Sequence, residues 1–92
     1  MSKNDPKYNF RDGTIVNEAS GDVIPLDEPC MVFRARDMHA IAAVTAYLDE
    51  IRNDPRTPDL HVACVFERVA AFKEFARDHA DRMKVPDTEL SR

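Results

Sequence analysis

The 92-residue chain contains no tryptophan and only two glycines, Gly13 and Gly21. Loops that cradle phosphate groups need several glycines, because their backbone must approach the ligand closely. Here each glycine follows a residue typical of turns, so the sequence predicts no such loop. No serine, threonine or cysteine lies in a recognisable nucleophile motif either. We therefore expect that the protein is not an enzyme.

Cysteine and long apolar runs are also scarce. Cys30 and Cys64 lie in apolar surroundings, and the first ten residues, MSKNDPKYNF, lack the apolar stretch of a signal peptide. Both cysteines are therefore expected to be free thiols in a reducing cytoplasm. No apolar run approaches the roughly 20 residues of a membrane-spanning helix, so no membrane partner is predicted.

The charge balance is acidic, with 13 lysines and arginines against 17 aspartates and glutamates and a formal net charge of −4. Proteins that coat nucleic acid are usually basic, so a nucleic-acid polymer is not the expected partner. A chain of this length forms one domain and buries only about two thirds of its unfolded surface. We therefore expect self-association into a homodimer or a larger oligomer.

The first third of the chain has the pattern of short antiparallel strands. Segments 8–11 and 14–17 flank Asp12-Gly13, which suits a two-residue type I′ turn because both positions need positive φ. In that register Phe10 lies opposite Ile15. A second turn at 18–21 predicts a short meander that continues into 22–24, whereas residues 1–7 are expected to be flexible.

The stretch from Cys30 to Arg36 alternates with a period of two, which predicts a further strand that carries Arg34 and Arg36 on one side. Asp37 follows in the position of a helix N-cap. The first helix is therefore predicted over about 38–53. Four apolar residues at spacings of three and four form its core stripe: Ile41, Val44, Leu48 and Ile51.

Thr57 and Pro58 are typical of the N-cap and first position of a helix, so a second helix is predicted over about 58–81. Its apolar residues cover a wider surface than one partner helix requires, which again favours an oligomer. The predicted fold is α+β: a short β-hairpin or meander packed on an antiparallel two-helix hairpin. This single domain spans 8–83, with strands within about 8–36, and residues 84–92 are predicted to form a flexible tail.

The predicted junction between strand and helix carries the best candidate site. Arg34, Arg36 and His39 would lie beside the free amides of a helix N-terminus, where guanidinium groups bind phosphate or carboxylate through paired hydrogen bonds. In an alternative interpretation, Asp37 simply caps the helix and the arginines form surface ion pairs. The acidic residues considered for those pairs are Glu28, Glu50 and Glu67.

Aromatic and potential metal-ligating side chains provide further candidates. Tyr8 and Tyr47 are candidates for stacking on a ligand ring, because each joins an aromatic face to a polar end. Phe10 and Phe33 are assigned instead to the core. His61 and Cys64, three residues apart on a helix, are too few for a structural zinc site. We therefore predict no metal and no cofactor.

Part of the chain resembles a group of known proteins. The stretch IPLDEPCMVFRARDMHA, preceded by IVNEASGDV, looks like small uncharacterised accessory proteins of tailed bacteriophages and prophages. The resemblance covers 8–83 and depends on the turn 17–22, on 27–29 and on 33–37. It implies a protein in the cytoplasm of a bacterial host that binds a host protein or sequesters a signal of antiviral defence.

Two functions follow as expectations. In the first, the protein is a non-enzymatic accessory protein that sequesters an anionic, nucleotide-like ligand through Arg34, Arg36 and His39, with Tyr8 and Tyr47 as further candidates. In the second, it is a protein-interaction module whose arginines contact acidic residues of a host protein, without a small ligand.

Overall fold

The computed structural model describes residues 7–11 and 14–86. The chain divides into two compact units, Met1–Val32 and Phe33–Arg92. The first contains an antiparallel pair of strands and the second contains two helices. A small α+β fold is therefore confirmed.

In the first unit, strand β1 (Tyr8–Arg11) pairs antiparallel with strand β2 (Thr14–Asn17). Phe10 lies opposite Ile15, so the predicted register is confirmed. The amide of Glu18 donates to the carbonyl of Lys7 at 2.8 Å. The predicted type I′ turn at 12–13 lies outside the described residues.

A tight turn follows β2 and brings the chain back along it. The Asn17 side chain accepts hydrogen bonds from the amides of Ala19 and Ser20, at 3.0 and 3.3 Å. Gly21 adopts a φ of 78°, which is accessible to glycine without a steric penalty. An isolated antiparallel bridge then joins Val16 to Val23. The predicted meander is therefore present, although its third segment is only a bridge.

The strand predicted over 30–36 is absent, and that prediction was wrong. The amide of Asp37 donates to the carbonyl of Arg34 at 3.0 Å, and this turn ends any extended run. The assignment of two phenylalanines to the core was also wrong, because Phe10 is 67% exposed and Phe33 is 39% exposed. Alternation alone does not form a strand, since a strand needs a neighbour for its backbone hydrogen bonds.

The second unit is a helical hairpin. Helix α1 (Ala40–Arg52) and helix α2 (Asp59–Asp78) pack on each other, and a single turn of 3-10 helix, η1 (Ala80–Arg82), follows. The connection 53–58 is short, so the two helices run antiparallel. Both helices are shorter than the predicted ranges of 38–53 and 58–81.

The core of the hairpin forms where the two apolar stripes meet. Leu48, Ile51 and Val69 are buried, and three valines pack against them: Val44, Val62 and Val65. The predicted α1 stripe is confirmed at Val44, Leu48 and Ile51. Burial of one such side chain contributes about 1.5–3 kcal/mol. Neither helix, within the residues described, is long and apolar enough to cross a membrane.

Helix α1 begins at Ala40, two residues later than the predicted start at about 38, whereas α2 begins at Asp59, in agreement with the predicted start at about 58. Pro58, and not Thr57, is the N-cap of α2, because its ψ of 141° is extended. At α1 the N-cap is His39, and the residues from Asp37 to His39 form a turn before the helix. Of the predicted flexible tail, residues 87–92 lie outside the described residues, and Lys84 makes two backbone hydrogen bonds.

Candidate functional site

The chain enters α1 through two successive turns, which together place the predicted site residues. The Arg34 carbonyl accepts from the amide of Asp37, and the Asp37 carbonyl accepts from the amide of Ala40 at 3.1 Å. The Asp37 carboxylate also accepts from the amide of His39 at 2.7 Å. Ala40, fully buried, anchors the start of the helix. We call residues 34–39 the arginine segment.

Backbone from the far end of the unit pairs with the arginine segment. The amide of Lys84 donates to the carbonyl of Arg36, and the amide of Met38 donates to the carbonyl of Lys84, both at 2.9 Å. Asp37 and Lys84 thereby form a parallel bridge.

Aromatic stacking helps to position the segment that carries Lys84. The guanidinium of Arg82 lies 4.8 Å from the centre of the Phe75 ring. The ring of His79 is 4.9 Å from the same phenylalanine. Cation–π contacts of this kind contribute about 0.5–1 kcal/mol at exposed sites. The end of α2 and η1 are thus joined by side chains as well as by backbone.

The two arginines of the arginine segment do not take part in the ion pairs of the described residues in the second unit. Arg34 is exposed and Arg36 is half-buried, and within the described part of the second unit neither forms an ion pair. Glu67, one of the partners considered from sequence, instead lies 3.7 Å from Arg68. Neither Glu50 nor Glu67 forms an ion pair with Arg34 or Arg36. His39 is exposed at the same turn.

The amides at the start of α1 are less available than the sequence predicts. Met38 donates to Lys84, His39 donates to the Asp37 carboxylate, and Ala40 donates to the Asp37 carbonyl. The carboxylate of Asp37 already lies at the positive end of the helix dipole. These three amides are therefore engaged within the chain, whereas no such hydrogen bond is present for the amides of Ile41 and Ala42 among the described residues.

Tyr47 lies apart from the arginine segment. It follows His39 by eight residues, about 12 Å along a helix axis at 1.5 Å per residue. Its hydroxyl forms a hydrogen bond of 3.0 Å with Nε2 of His61, and the two rings meet edge to face. Tyr47 therefore connects α1 to α2.

Tyr8 belongs to the other unit. It lies on β1 and is 40% exposed, and the ammonium group of Lys7 is 5.4 Å from the centre of its ring.

Metal-ligating residues do not converge in the part of the chain that the structure describes. No group of three or more histidine, cysteine or acidic side chains is placed to hold an ion there. Nε2 of His61 is engaged with Tyr47, and Cys64 is half-buried as a free thiol. Cys30, also a free thiol, is exposed.

Two exposed ion pairs in the second unit shift the pKa values of their own members. Arg56 donates from Nε and from a terminal nitrogen to the carboxylate of Asp54, at 3.0 and 2.8 Å. These hydrogen bonds lower the pKa of Asp54 and raise that of Arg56. The neighbouring carboxylate of Asp78 raises the pKa of Arg77. Neither pair belongs to the arginine segment.

Comparison with known proteins adds no family assignment. No protein-family model matches the chain, and neither a curated protein nor a solved structure matches it. A functional proposal therefore depends on the chemistry of the chain's own residues.

Proposed function

We propose that the protein is a non-enzymatic binding protein that recognises an anionic partner through Arg34 and Arg36. One observation supports this most directly. Within the described part of the second unit, neither guanidinium group forms an ion pair with an acidic side chain. His39, exposed at the same turn, extends the polar surface. In a chain with a net charge of −4, a local basic segment determines which face meets an acidic partner.

An acidic protein surface is the partner that the geometry favours. A small phosphate-bearing ligand is usually held by helix amides as well as by side chains, and Met38, His39 and Ala40 already use theirs within the chain. Exposed guanidiniums, by contrast, are common contacts between proteins. The resemblance to phage accessory proteins agrees with a target in the bacterial host, in whose cytoplasm the protein would act.

A nucleotide-like ligand is the second candidate. Arg34 and Arg36 are two residues apart at one turn, and each guanidinium presents the planar donor pair that suits a phosphate. Sequestration of an anionic defence signal would require no catalytic group. This candidate predicts that such a ligand raises the melting temperature, because it binds the folded state alone.

Self-association is part of the proposal. The face of α2 that lies away from α1 carries four exposed apolar residues: Leu60, Ala63, Phe66 and Ala70. Leu60 is 77% exposed and Phe66 is 58% exposed. A second copy of the chain would remove this surface from water, which favours association. We call these four residues the outer face of α2.

The test compares two double variants of equal charge. Arg34→Ala/Arg36→Ala removes the proposed contacts, whereas Arg52→Ala/Arg77→Ala removes two exposed arginines elsewhere in the same unit. Binding of a fluorescein-labelled hexaglutamate peptide is measured by anisotropy at low salt. Exposed charge contacts contribute about 0.2–1 kcal/mol each, so the first variant should bind about 2-fold to 30-fold more weakly. The second should bind as the wild type does.

A nucleotide panel and a bacterial lysate separate the two candidates. A saturable rise in melting temperature with a nucleotide, lost in Arg34→Ala/Arg36→Ala, would favour the small ligand. A bacterial protein retained by the wild type and the control, but not by Arg34→Ala/Arg36→Ala, would identify a protein target. Equal binding by both double variants would overturn the proposal, and turnover of any nucleotide would contradict its non-enzymatic part.

A further inference from the structure

Lys84 lies beside the arginine segment although it is far from it in sequence. Its amide and carbonyl bond to Arg36 and Met38, so its backbone is held on both sides of the bridge. Its side chain is exposed. The structure thereby brings a third cationic residue to the same edge of the unit as Arg34 and Arg36.

The backbone geometry limits how far apart these three residues can be. Strands that share hydrogen bonds lie about 4.8 Å apart, which applies to the bridge between Asp37 and Lys84. The turn that begins at Arg34 and ends at Asp37 keeps its end α-carbons within about 7 Å. Long, flexible side chains at these distances can contact neighbouring charges on a single partner.

We propose that Lys84 is a third binding residue of the surface formed by Arg34 and Arg36, and that the partner presents several carboxylates spaced about one helical turn apart. This inference rests on the proposed function. Acidic residues three or four positions apart on a helix have β-carbons about 5–6 Å apart, a spacing that long arginine and lysine side chains on neighbouring backbone segments can reach. An acidic helix of the target protein is therefore the occupant that matches the surface.

The fold does not need the Lys84 side chain. The bridge uses only the backbone N–H and carbonyl of residue 84, which every residue except proline supplies. Substitution by alanine should therefore keep the bridge and remove only the positive charge. A structural role and a binding role can for this reason be separated at this position.

Lys73 provides a matched control, because it is an exposed lysine on α2 in the same unit. Lys84→Ala, Lys84→Glu, Lys73→Ala and Lys73→Glu are measured with the labelled hexaglutamate peptide. Lys84→Ala should weaken binding about 1.4-fold to 5-fold, as expected for one exposed charge contact of about 0.2–1 kcal/mol. Lys84→Glu should weaken it further, and both Lys73 variants should match the wild type.

The outcomes separate the inference from the function on which it rests. If Arg34→Ala/Arg36→Ala weakens binding while Lys84→Ala does not, the role of Lys84 is overturned and the proposed function stands. If the arginine variant binds as the wild type does, both fail. Equal weakening by Lys73→Ala would indicate a general effect of net charge and would also overturn the inference. Amide exchange of Met38, measured by NMR, should be the same in Lys84→Ala as in the wild type, which shows that the bridge is intact.

Discussion

At the scale of single residues, Asp37 determines how the chain enters α1. Its carboxylate accepts from the amide of His39 and its carbonyl accepts from the amide of Ala40. One residue thus satisfies two donors at the helix start and places a negative charge near the positive end of the dipole. The same residue lies between Arg36 and α1 in the sequence.

Asp37→Ala should destabilise the second unit by about 1 kcal/mol, because the hydrogen bond from the His39 amide to the carboxylate is lost. For a domain of this size that corresponds to a fall in melting temperature of about 4–8 °C. Thermal unfolding followed by circular dichroism at 222 nm measures it. Asp49→Ala, at an exposed position within α1, is the control and should change the melting temperature by less than half as much. An equal fall in both variants would contradict a stabilising role for the Asp37 carboxylate.

A second residue-scale prediction concerns Asp54. Its pKa lies below the ordinary value of 3.8 because of hydrogen bonds from the side chain and the amide of Arg56. A folded-state pKa below the unfolded value means that the interaction stabilises the fold above about pH 3.8, and that this contribution is lost as the pH falls through the folded-state pKa. The carboxyl carbon of Asp54, titrated by NMR, should show a higher pKa in Arg56→Ala. In Arg77→Ala the pKa of Asp54 should be unchanged. If the pKa does not rise in Arg56→Ala, the hydrogen bonds from Arg56 are not the cause of the low value.

At the scale of elements, the hairpin of α1 and α2 is stabilised by a small set of aliphatic contacts. Leu48 is 4% exposed and Val69 is also 4% exposed, whereas Leu60 on the outer face of α2 is 77% exposed. The two faces of α2 therefore differ in exposure although both are apolar. One packs on α1, and the other is exposed on the single chain.

Two leucines allow the same substitution to be compared on the two faces. Leu48→Ala should lower the free energy of unfolding by about 2–5 kcal/mol, because it removes buried contacts and leaves a cavity. Leu60→Ala should change it by no more than about 0.5 kcal/mol at a concentration where the protein is monomeric. Urea unfolding measures both. Similar losses would mean that Leu60 is buried in the folded monomer, which would contradict the packing described above.

At the scale of the whole molecule, the small size of the core is the main energetic constraint. Among the described residues, five apolar side chains are buried: Val16, Ala40, Leu48, Ile51 and Val69. Association through the outer face of α2 would add apolar contacts that one copy of the chain cannot make. It would also present two copies of the arginine segment to a target, which raises avidity without any new contact.

The solution mass tests this association. Light scattering of the wild type should give at least twice the mass of the single chain, whereas Phe66→Glu should give the single-chain mass because it places a charge on the outer face. Ala42→Glu, at an exposed position of α1, is the control and should keep the larger mass. A single-chain mass for the wild type would overturn the proposed association, and loss of assembly in the control alone would place the interface on α1.

Features that depend on neighbouring residues could be predicted from the sequence. A two-residue connection with turn-forming residues sets the pairing of Phe10 with Ile15. The spacing of Val44, Leu48 and Ile51 determines which face of α1 is buried. In the same way, local sequence places Arg34, Arg36 and His39 at the entrance to α1, because the helix start signal is only a few residues long.

Features that depend on distant residues were decided only by the tertiary structure. Alternation over 30–36 indicates which side chains could share a face, but it contains no information about which segment could supply a partner strand. The pairing that does form joins Asp37 to Lys84, at opposite ends of the second unit. That pairing engages the amide of Met38, and it brings Lys84 to the arginines. Backbone hydrogen bonds between remote segments depend on how the chain returns on itself, which no local pattern specifies.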